Sequence, residues 1–170
     1  MDFHQYRANV KKRRFENKKF FAKVRKKRPK DIDANIHALD EEVFEKTNCL
    51  DCAHCCQTMA PVLNRRDIDR ISKYMGMKKG DFTIEYLRLD SDDDYVVNRT
   101  PCVFLNDDNH CSVYDVRPKY CQEYPHTTDN KITLQQMHNN VSVCPAVYEI
   151  TEKLKRIYIE QLKSKNGLKG

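Results

Sequence analysis

Residues 49–56 read Cys49-Leu50-Asp51-Cys52-Ala53-His54-Cys55-Cys56 and contain four of the eight cysteines of the chain. Two thiolates that are separated by two residues can converge from one tight turn onto a single metal ion, with zinc–sulfur distances of about 2.3 Å. Neighbouring residues project differently, so Cys55 and Cys56 are expected to serve different centres or different irons of one cluster. Thr47 and Asn48 are good turn formers, which predicts that this metal-binding stretch begins on a loop.

The other four cysteines are Cys102, Cys111, Cys121 and Cys144. The first two fall in apolar runs at 101–105 and 110–114, and the turn-forming sequence 106–109 separates these runs. This pattern predicts a β-hairpin with Cys102 and Cys111 on paired strands, near enough to share a centre. All eight cysteines are therefore predicted to be metal ligands.

Composition predicts one modest domain in a reducing compartment. The chain has 170 residues, of which 39% are hydrophobic and 33% charged, so its core is expected to be thin and reinforced by ligation or cross-linking. The N-terminus lacks the apolar core and cleavage site of a signal peptide, and no later run is apolar enough to span a bilayer. These features predict a cytoplasmic protein, where thiols are ligands more often than disulfides.

The net charge of +6 is unevenly distributed, because residues 1–30 carry 13 Lys and Arg against 2 acids. We therefore divide the chain into a basic amphipathic helical arm, residues 1–30, and a cysteine-cluster metal-binding domain, residues 31–170. The side chains that fall on one side of the helical wheel are Phe3, Tyr6, Val10, Phe20, Phe21 and Val24. Either this apolar side packs on the body while the lysines are solvated, or the arm contacts RNA, a membrane surface or an acidic partner.

The remaining pattern predicts an α+β fold, a small and mostly helical domain with a short β-hairpin and cysteine-rich loops. Asn64 and Asp67 resemble a capping box, and Gly76 is expected to end the helix that follows them. Further predictions are a helix over 31–46, short strands at Tyr95–Val97 and Ile132–Leu134, and a last helix opened by Cys144-Pro145 whose inward face is Val147, Ile150, Leu154, Ile157 and Leu162.

Several ordered motifs together resemble the CxxCxxCC family of zinc- or iron-chelating domains, also called YkgJ-like. They are CxxCxxCC at residues 49–56, Pro101-Cys102-Val103-Phe104-Leu105, Cys111 followed by Tyr114, Arg117-Pro118 with Cys121, Tyr124-Pro125, and Cys144-Pro145. The resemblance implies a metal-chelating cysteine domain, which occurs in bacterial proteins and in a flagellin lysine methylase. Gln122 stands where family members often show arginine, and no residue here matches a methyl-donor site.

Two inorganic centres suit the eight cysteines. Two zinc sites of four thiolates each would use all of them, whereas an iron-sulfur cluster needs four thiolates or fewer and leaves some for a second centre. The CxxCxxC spacing and the Cys144-Pro145 step are typical of ferredoxin-like ligation and favour iron-sulfur. Disulfides or redox-active free thiols are the remaining alternative.

Other side chains near the cysteines are candidates for supporting roles. Arg117 is predicted to neutralise a thiolate-rich cofactor or to bind an anionic substrate, and the alternative is a salt bridge to Asp115 or Glu123. His54 and His110 are candidate ligands or hydrogen-bond donors to ligands. The candidates for lining a pocket, with simple packing as the alternative, are Tyr120, Tyr124 and His126.

Two functional hypotheses follow. In the first, an iron-sulfur or zinc centre supports a redox or modification reaction on a substrate that the sequence does not identify. In the second, a zinc-stabilised module binds RNA, the ribosome or an acidic protein through its basic N-terminal arm. No catalytic residue is assigned under either hypothesis.

Overall fold

The computed structural model describes residues 3–127 and 133–164. Two compact units divide the chain: unit 1 comprises Met1–Thr47 and Pro125–Gly170, and unit 2 comprises Asn48–Tyr124. The helices of unit 1 are α1 (Phe3–Lys27), α2 (Ile32–Phe44), α8 (Thr133–Asn140) and α9 (Pro145–Ser164). Unit 2 contains α3 (Cys49–Cys52), α4 (His54–Thr58), α5 (Arg65–Tyr74), α6 (Lys79–Tyr86), β1 (Leu87–Leu89), β2 (Tyr95–Val97), a 3-10 helix (Tyr114–Val116) and α7 (Lys119–Glu123).

The mostly helical α+β class is confirmed, since the strands form one two-stranded antiparallel sheet among the described residues. Strand Tyr95–Val97 is confirmed too, and its partner is β1, so the hairpin turns through residues 90–94, of which four are aspartates. None of the described helices combines the length and the apolar character that crossing a bilayer requires.

The core of unit 1 lies between α1, α2, α8 and α9. Its buried side chains are Tyr6, Phe20, Phe21, Val24, Ile32, Ile36, Val43, Leu134, Met137, Val141, Ala146, Val147, Tyr148, Ile150, Leu154 and Tyr158. The apolar side of the basic helix thus packs inward, which is the first of the two alternatives that the sequence left open, although the side chain of Phe3 lies outside those that the structure describes. The boundary after Lys30 stays a prediction.

Polar groups supplement this core where α1 meets α9. Lys155 is buried, and its Nζ lies 2.8 Å from Oε1 of both Glu16 and Glu152. Arg13 also pairs with Glu152. These contacts attach α1 to α9 through two carboxylates and two cations, which offsets the cost of burying the lysine.

The core of unit 2 forms around α5, α6 and the sheet. Its buried side chains are Leu63, Ile68, Ile71, Phe82, Leu87, Val97, Cys102, Phe104 and Val113. Phe82, Tyr86 and Phe104 stack with ring centroids 5.3–6.2 Å apart, and the segment before α5 pairs with β2 through a bridge between Val62 and Val96. This small core carries the cysteine-bearing segments.

Several local predictions were wrong. The loop residues Thr47 and Asn48 do precede the stretch 49–56 as predicted, but the stretch itself forms two one-turn helices rather than a cysteine-rich loop, because Asn48 caps the first and Ala53, in a left-handed conformation (φ 44°), separates it from the second. The predicted hairpin at 101–114 is reduced to one bridge, Leu105 to Cys111, because the backbone N–H of Cys102 donates to Cys56 O instead of to a strand.

The C-terminal segments differ in a similar way. Residues 133 and 134, predicted in a strand, begin α8, whereas Ile132 lies outside the described residues. Pro145 does open the last helix, as predicted. On that helix Ile157 is 38% exposed and Tyr158 is buried in its place, while the side chain of Leu162 lies outside the described set.

Candidate metal centre

Unit 2 carries the four cysteines of the CxxCxxCC stretch on α3 and α4. The side chain of Asn48 accepts a hydrogen bond from the backbone N–H of Leu50 (3.1 Å), which starts the first turn of helix. Ala53 then redirects the chain into α4, where the Sγ atoms of Cys55 and Cys56 lie 3.9 Å apart. The four thiols therefore come from two short turns joined at one residue.

Three further cysteines reach the same region from later segments. The N–H of Cys102 donates to Cys56 O at 2.8 Å, which ties the loop after β2 to α4. Cys111 follows on the chain that bridges Leu105, and Cys121 lies on α7. Backbone pairing rather than side-chain contact thus places Cys102 beside the CxxCxxCC stretch.

Partly buried polar contacts hold the segment that leads into α7. The Nε of Arg70 donates to Val116 O (3.3 Å) and a terminal nitrogen of the same side chain to Arg117 O (2.8 Å). The backbone N–H of Lys119 donates to Oδ1 of Asp67 at 3.0 Å. Side chains of α5 therefore hold the backbone that leads to Arg117 and Cys121 in position.

A cavity of about 180 Å³ lies among these segments, and six thiols line it. They are Cys49, Cys55, Cys56, Cys102, Cys111 and Cys121. The remaining lining residues are mostly apolar or aromatic: Leu50, Ala53, Met59, Pro61, Phe104, Asn109, Tyr114, Arg117, Pro118, Tyr120, Gln122 and Tyr124. Sulfur thus provides most of the potential metal-binding groups of this cavity.

Two predicted ligands, Cys52 and Cys144, are not among the residues that line the cavity. Cys52 lies half-buried on α3 and is not among the lining residues of the cavity. Cys144 belongs to unit 1, directly before α9. His54 is buried without lining the cavity, and His110 is exposed beside Asp108. Ligation by Cys52 and Cys144 accordingly stays a prediction.

Arg117 provides the positive charge of the cavity lining. Its guanidinium lies 4.1 Å from the ring centroid of Tyr114 and donates to Tyr114 O at 2.9 Å. Among the described ion pairs none joins it to Asp115 or Glu123, the alternative considered from the sequence; Glu123 pairs with Lys119. The arginine is therefore available to an anionic group in the cavity.

Burial strongly affects the thiols. It raises the pKa of Cys49, Cys52, Cys111 and Cys121, and it raises the pKa of Cys102 to about 11. Negative charge at Cys56 acts in the same direction on each of these five thiols, whereas Arg117 opposes the shift at Cys49, Cys111 and Cys121. A hydrogen bond from Cys55 lowers the pKa of Cys56 to about 7. Cys56 thus ionises most readily, and the other five thiols need a nearby cation to become thiolates at neutral pH.

This donor set fits a thiophilic metal centre. Soft thiolates select zinc, copper(I) and iron-sulfur clusters over hard cations. All eight cysteines are free thiols, so no disulfide competes for them. Within residues 3–127 and 133–164, no three Cys, His, Asp or Glu side chains are close enough to hold one ion as they stand. The thiols line a cavity, and their positions do not converge on a single metal ion.

The sequence revealed the cysteines, Arg117 and two tyrosines of this cavity, Tyr120 and Tyr124. It did not reveal Leu50, Met59, Pro61 or Phe104 as lining residues. Leu50 lies within the CxxCxxCC stretch, and Phe104 lies in a quoted motif, so proximity in sequence was a signal for both. Met59 and Pro61 carried no chemical signal that separates lining from packing.

The comparisons with known proteins agree with the motifs. A family model, CxxCxxCC, described as "putative zinc- or iron-chelating domain", matches residues 48–145, more than half of the chain. No curated protein and no solved structure matches the chain. The matched region begins at the residue that caps α3 and ends at the first residue of α9, and it includes every cysteine. The resemblance is thereby confirmed, and the chain belongs to the CxxCxxCC family of metal-chelating domains.

Proposed function

We propose that the six cavity thiols of unit 2 hold an iron-sulfur cluster and that the protein is a redox protein. The observation that carries this proposal is the arrangement of six thiols around one cavity of about 180 Å³. A structural zinc ion takes four ligands at about 2.3 Å and leaves no space between them. A group of several atoms suits both the number of thiols and the space they enclose. When bound, such a cluster supplies one-electron transfer.

The residues around the thiols have separate roles in this proposal. Arg117 balances part of the negative charge of the thiolates, and its contacts with Tyr114 hold the guanidinium in place. Met59, Phe104 and Tyr120 form apolar walls that limit the access of water. Low exposure to water and a nearby cation are both properties by which proteins set a cluster's potential.

Zinc is the second candidate, and one distance favours it. Two thiolates on a tetrahedral zinc ion lie about 3.8 Å apart, which follows from zinc–sulfur bonds of about 2.3 Å. The Sγ atoms of Cys55 and Cys56 lie 3.9 Å apart. In this alternative the metal stabilises the fold, and the protein acts as a binding module.

A cytoplasmic location accompanies both candidates. The eight free thiols suit a reducing compartment, because an oxidising one would convert closely spaced cysteines to disulfides. The substrate or electron partner of the centre is not assigned, and neither is a catalytic residue.

Purification without oxygen tests the first proposal. We expect brown protein with broad visible absorbance, iron and acid-labile sulfide, and an electron paramagnetic resonance signal after reduction. Cys121→Ser should lose most of the iron, because it removes a ligand from the cavity wall. Met59→Leu, a volume-conserving change in the same wall, should keep it.

Circular dichroism of each variant separates loss of the centre from loss of the fold. Colourless protein with stoichiometric zinc would rule out the iron-sulfur centre in favour of the second candidate. Full iron content in folded Cys121→Ser would exclude that thiol as a ligand.

A further inference from the structure

The packing of α1 in unit 1 leaves one long face of this helix in solvent. Tyr6, Asn17, Phe20, Phe21 and Val24 are buried, which fixes the rotation of the helix about its axis. The opposite side is exposed along its length, and at about 1.5 Å per residue the 25 residues of α1 extend for about 37 Å. We refer to this exposed side as the basic face.

Two rows of cations run along the basic face. At 100° per residue, the first row is Arg7, Lys11, Arg14 and Lys18, and the second is Lys12, Lys19, Lys23 and Lys26. Neighbours within a row are three or four residues apart, about 5–6 Å between Cβ atoms, except Lys12 and Lys19, which are seven residues apart. The rows therefore present positive charge on both sides of a central strip.

The central strip consists of Ala8, Phe15 and Ala22, seven residues apart and all exposed. Phe15 is 66% exposed, and Nζ of Lys19 lies 4.3 Å from its ring centroid. The alanine methyl groups are too short to cover the ring, so the Lys19 ammonium over one of its faces is the contact that the structure describes there. An aromatic ring is thus displayed in the middle of a cationic surface.

The charge of this face is not neutralised within the described structure. Glu16 is the one acid in the sequence of α1, and it pairs with the buried Lys155. Among the ion pairs of the described residues, none involves a cation of the two rows. The cations of this surface can therefore pair with the charges of an external polyanion.

We propose that the basic face of α1 binds single-stranded nucleic acid, with phosphates on the two rows and a base stacked on Phe15. Proteins that bind single strands combine a cationic track with exposed aromatic rings, and every base can stack on such a ring. Charge complementarity identifies a polyanion, and the exposed ring favours unstacked bases over a closed duplex. An interfacial membrane helix inserts its apolar side into lipid, but that side of α1 is in the core of unit 1.

Fluorescence anisotropy with the full chain and a labelled 12-nucleotide uridine RNA tests this inference. Phe15→Ala should weaken binding between about fivefold and about 150-fold, the loss expected for one stacked base. Phe15→Trp should restore it, whereas Phe15→Leu should not, since leucine keeps apolar surface without an aromatic face. All three changes lie in solvent and are expected to leave the fold unchanged.

The phosphate contacts have their own test. Lys11→Ala with Lys18→Ala should lower the slope of log affinity against log salt by about 1.4, at about 0.7 for each lost phosphate contact. The matched control is Lys73→Ala with Lys78→Ala, which removes the same charge from exposed positions of unit 2 and should leave the slope unchanged.

Four outcomes would overturn the proposal. They are no binding of the RNA, binding that Phe15→Ala leaves unchanged, equal binding of a 12-base-pair duplex, and a Phe15→Leu variant that binds like wild type. Stronger binding to vesicles containing phosphatidylserine or to a polyglutamate peptide would assign the face to a membrane or an acidic protein. None of these measurements depends on the metal centre.

Discussion

Asp67 connects the start of α5 with the start of α7 through one buried carboxylate, whose residue is 1% exposed. Its Oδ2 accepts the N–H of Asn64 at 3.1 Å, which completes the capping box of α5. Its Oδ1 accepts the N–H of Lys119 at 3.0 Å and a guanidinium N–H of Arg70 at 2.6 Å. One side chain therefore both starts a helix and holds the segment that carries Cys121.

Asp67→Asn should lower the free energy of unfolding by about 1.5–3 kcal/mol, because an amide group cannot replace both carboxylate acceptors. Urea unfolding of the metal-loaded protein measures the change. The control is Asp69→Asn, since the Asp69 side chain is 59% exposed and its ion pair with Lys79 lies at the surface. Equal effects of the two substitutions would contradict the role of Asp67.

Half of this arrangement could be predicted from the sequence. The Asn64 and Asp67 pair is local, and the capping box that it predicts is confirmed. The bond to Lys119 joins residues 52 positions apart, and no periodicity or spacing reports such a contact. The site shows the same limit: the motifs identified the cysteines, but only the backbone contact from Cys102 to Cys56 shows how two of them meet.

Gly76 lies in the turn between α5 and α6 and adopts a backbone conformation that other residues avoid. Its φ is +68°, in the left-handed region, and a Cβ built there meets nothing within 4 Å. Gly80, inside α6, has the same open surroundings without the positive φ. The two glycines thus differ in backbone conformation, but both positions have room for a Cβ atom.

Gly76→Ala should reduce the free energy of unfolding by about 1 kcal/mol, since an L-residue is strained in the left-handed region. Gly80→Ala should raise it by about 0.5–1 kcal/mol through higher helix propensity and a less flexible unfolded chain. Thermal unfolding of both variants provides the comparison. A stabilised Gly76→Ala would mean that the turn adopts another conformation.

Elements with strong local signals were predicted well, and the others were not. The capping box, Gly76 and Pro145 specify helix ends by backbone chemistry, and all three appear where expected. The apolar run at 101–105 has the composition of a strand, but it pairs only at its end, where Leu105 bridges Cys111 and Phe104 O accepts the N–H of Ser112, while Cys102 bonds to Cys56. Composition measures burial there as well as strand pairing, which explains why the hairpin is shorter than predicted.

The two units differ in how their interiors are built. In the part of unit 1 that the structure describes, four helices pack around aromatic and aliphatic side chains, whereas the core of unit 2 includes a cysteine and adjoins the thiol-lined cavity. Metal ligation contributes directly to folding free energy where a site joins segments distant in sequence. Loss of the metal should therefore affect the two units unequally.

Hydrogen exchange measures this difference. After removal of metal with a chelator under reducing conditions, amides of residues 48–124 should lose at least tenfold in protection. Amides of α2 and α9 should change little, because apolar packing holds them. Uniform loss of protection across the chain would show that the units unfold together, and no loss in residues 48–124 would show that metal does not stabilise them.

The two stretches of unit 1 flank unit 2 in the sequence. During translation, α1 and α2 are completed long before their packing partners α8 and α9 exist, whereas unit 2 emerges as one uninterrupted segment. A metal that binds within this segment can therefore be acquired while the chain is still being made. Helices α1 and α2 can form their packing contacts only after α8 and α9 have been synthesised.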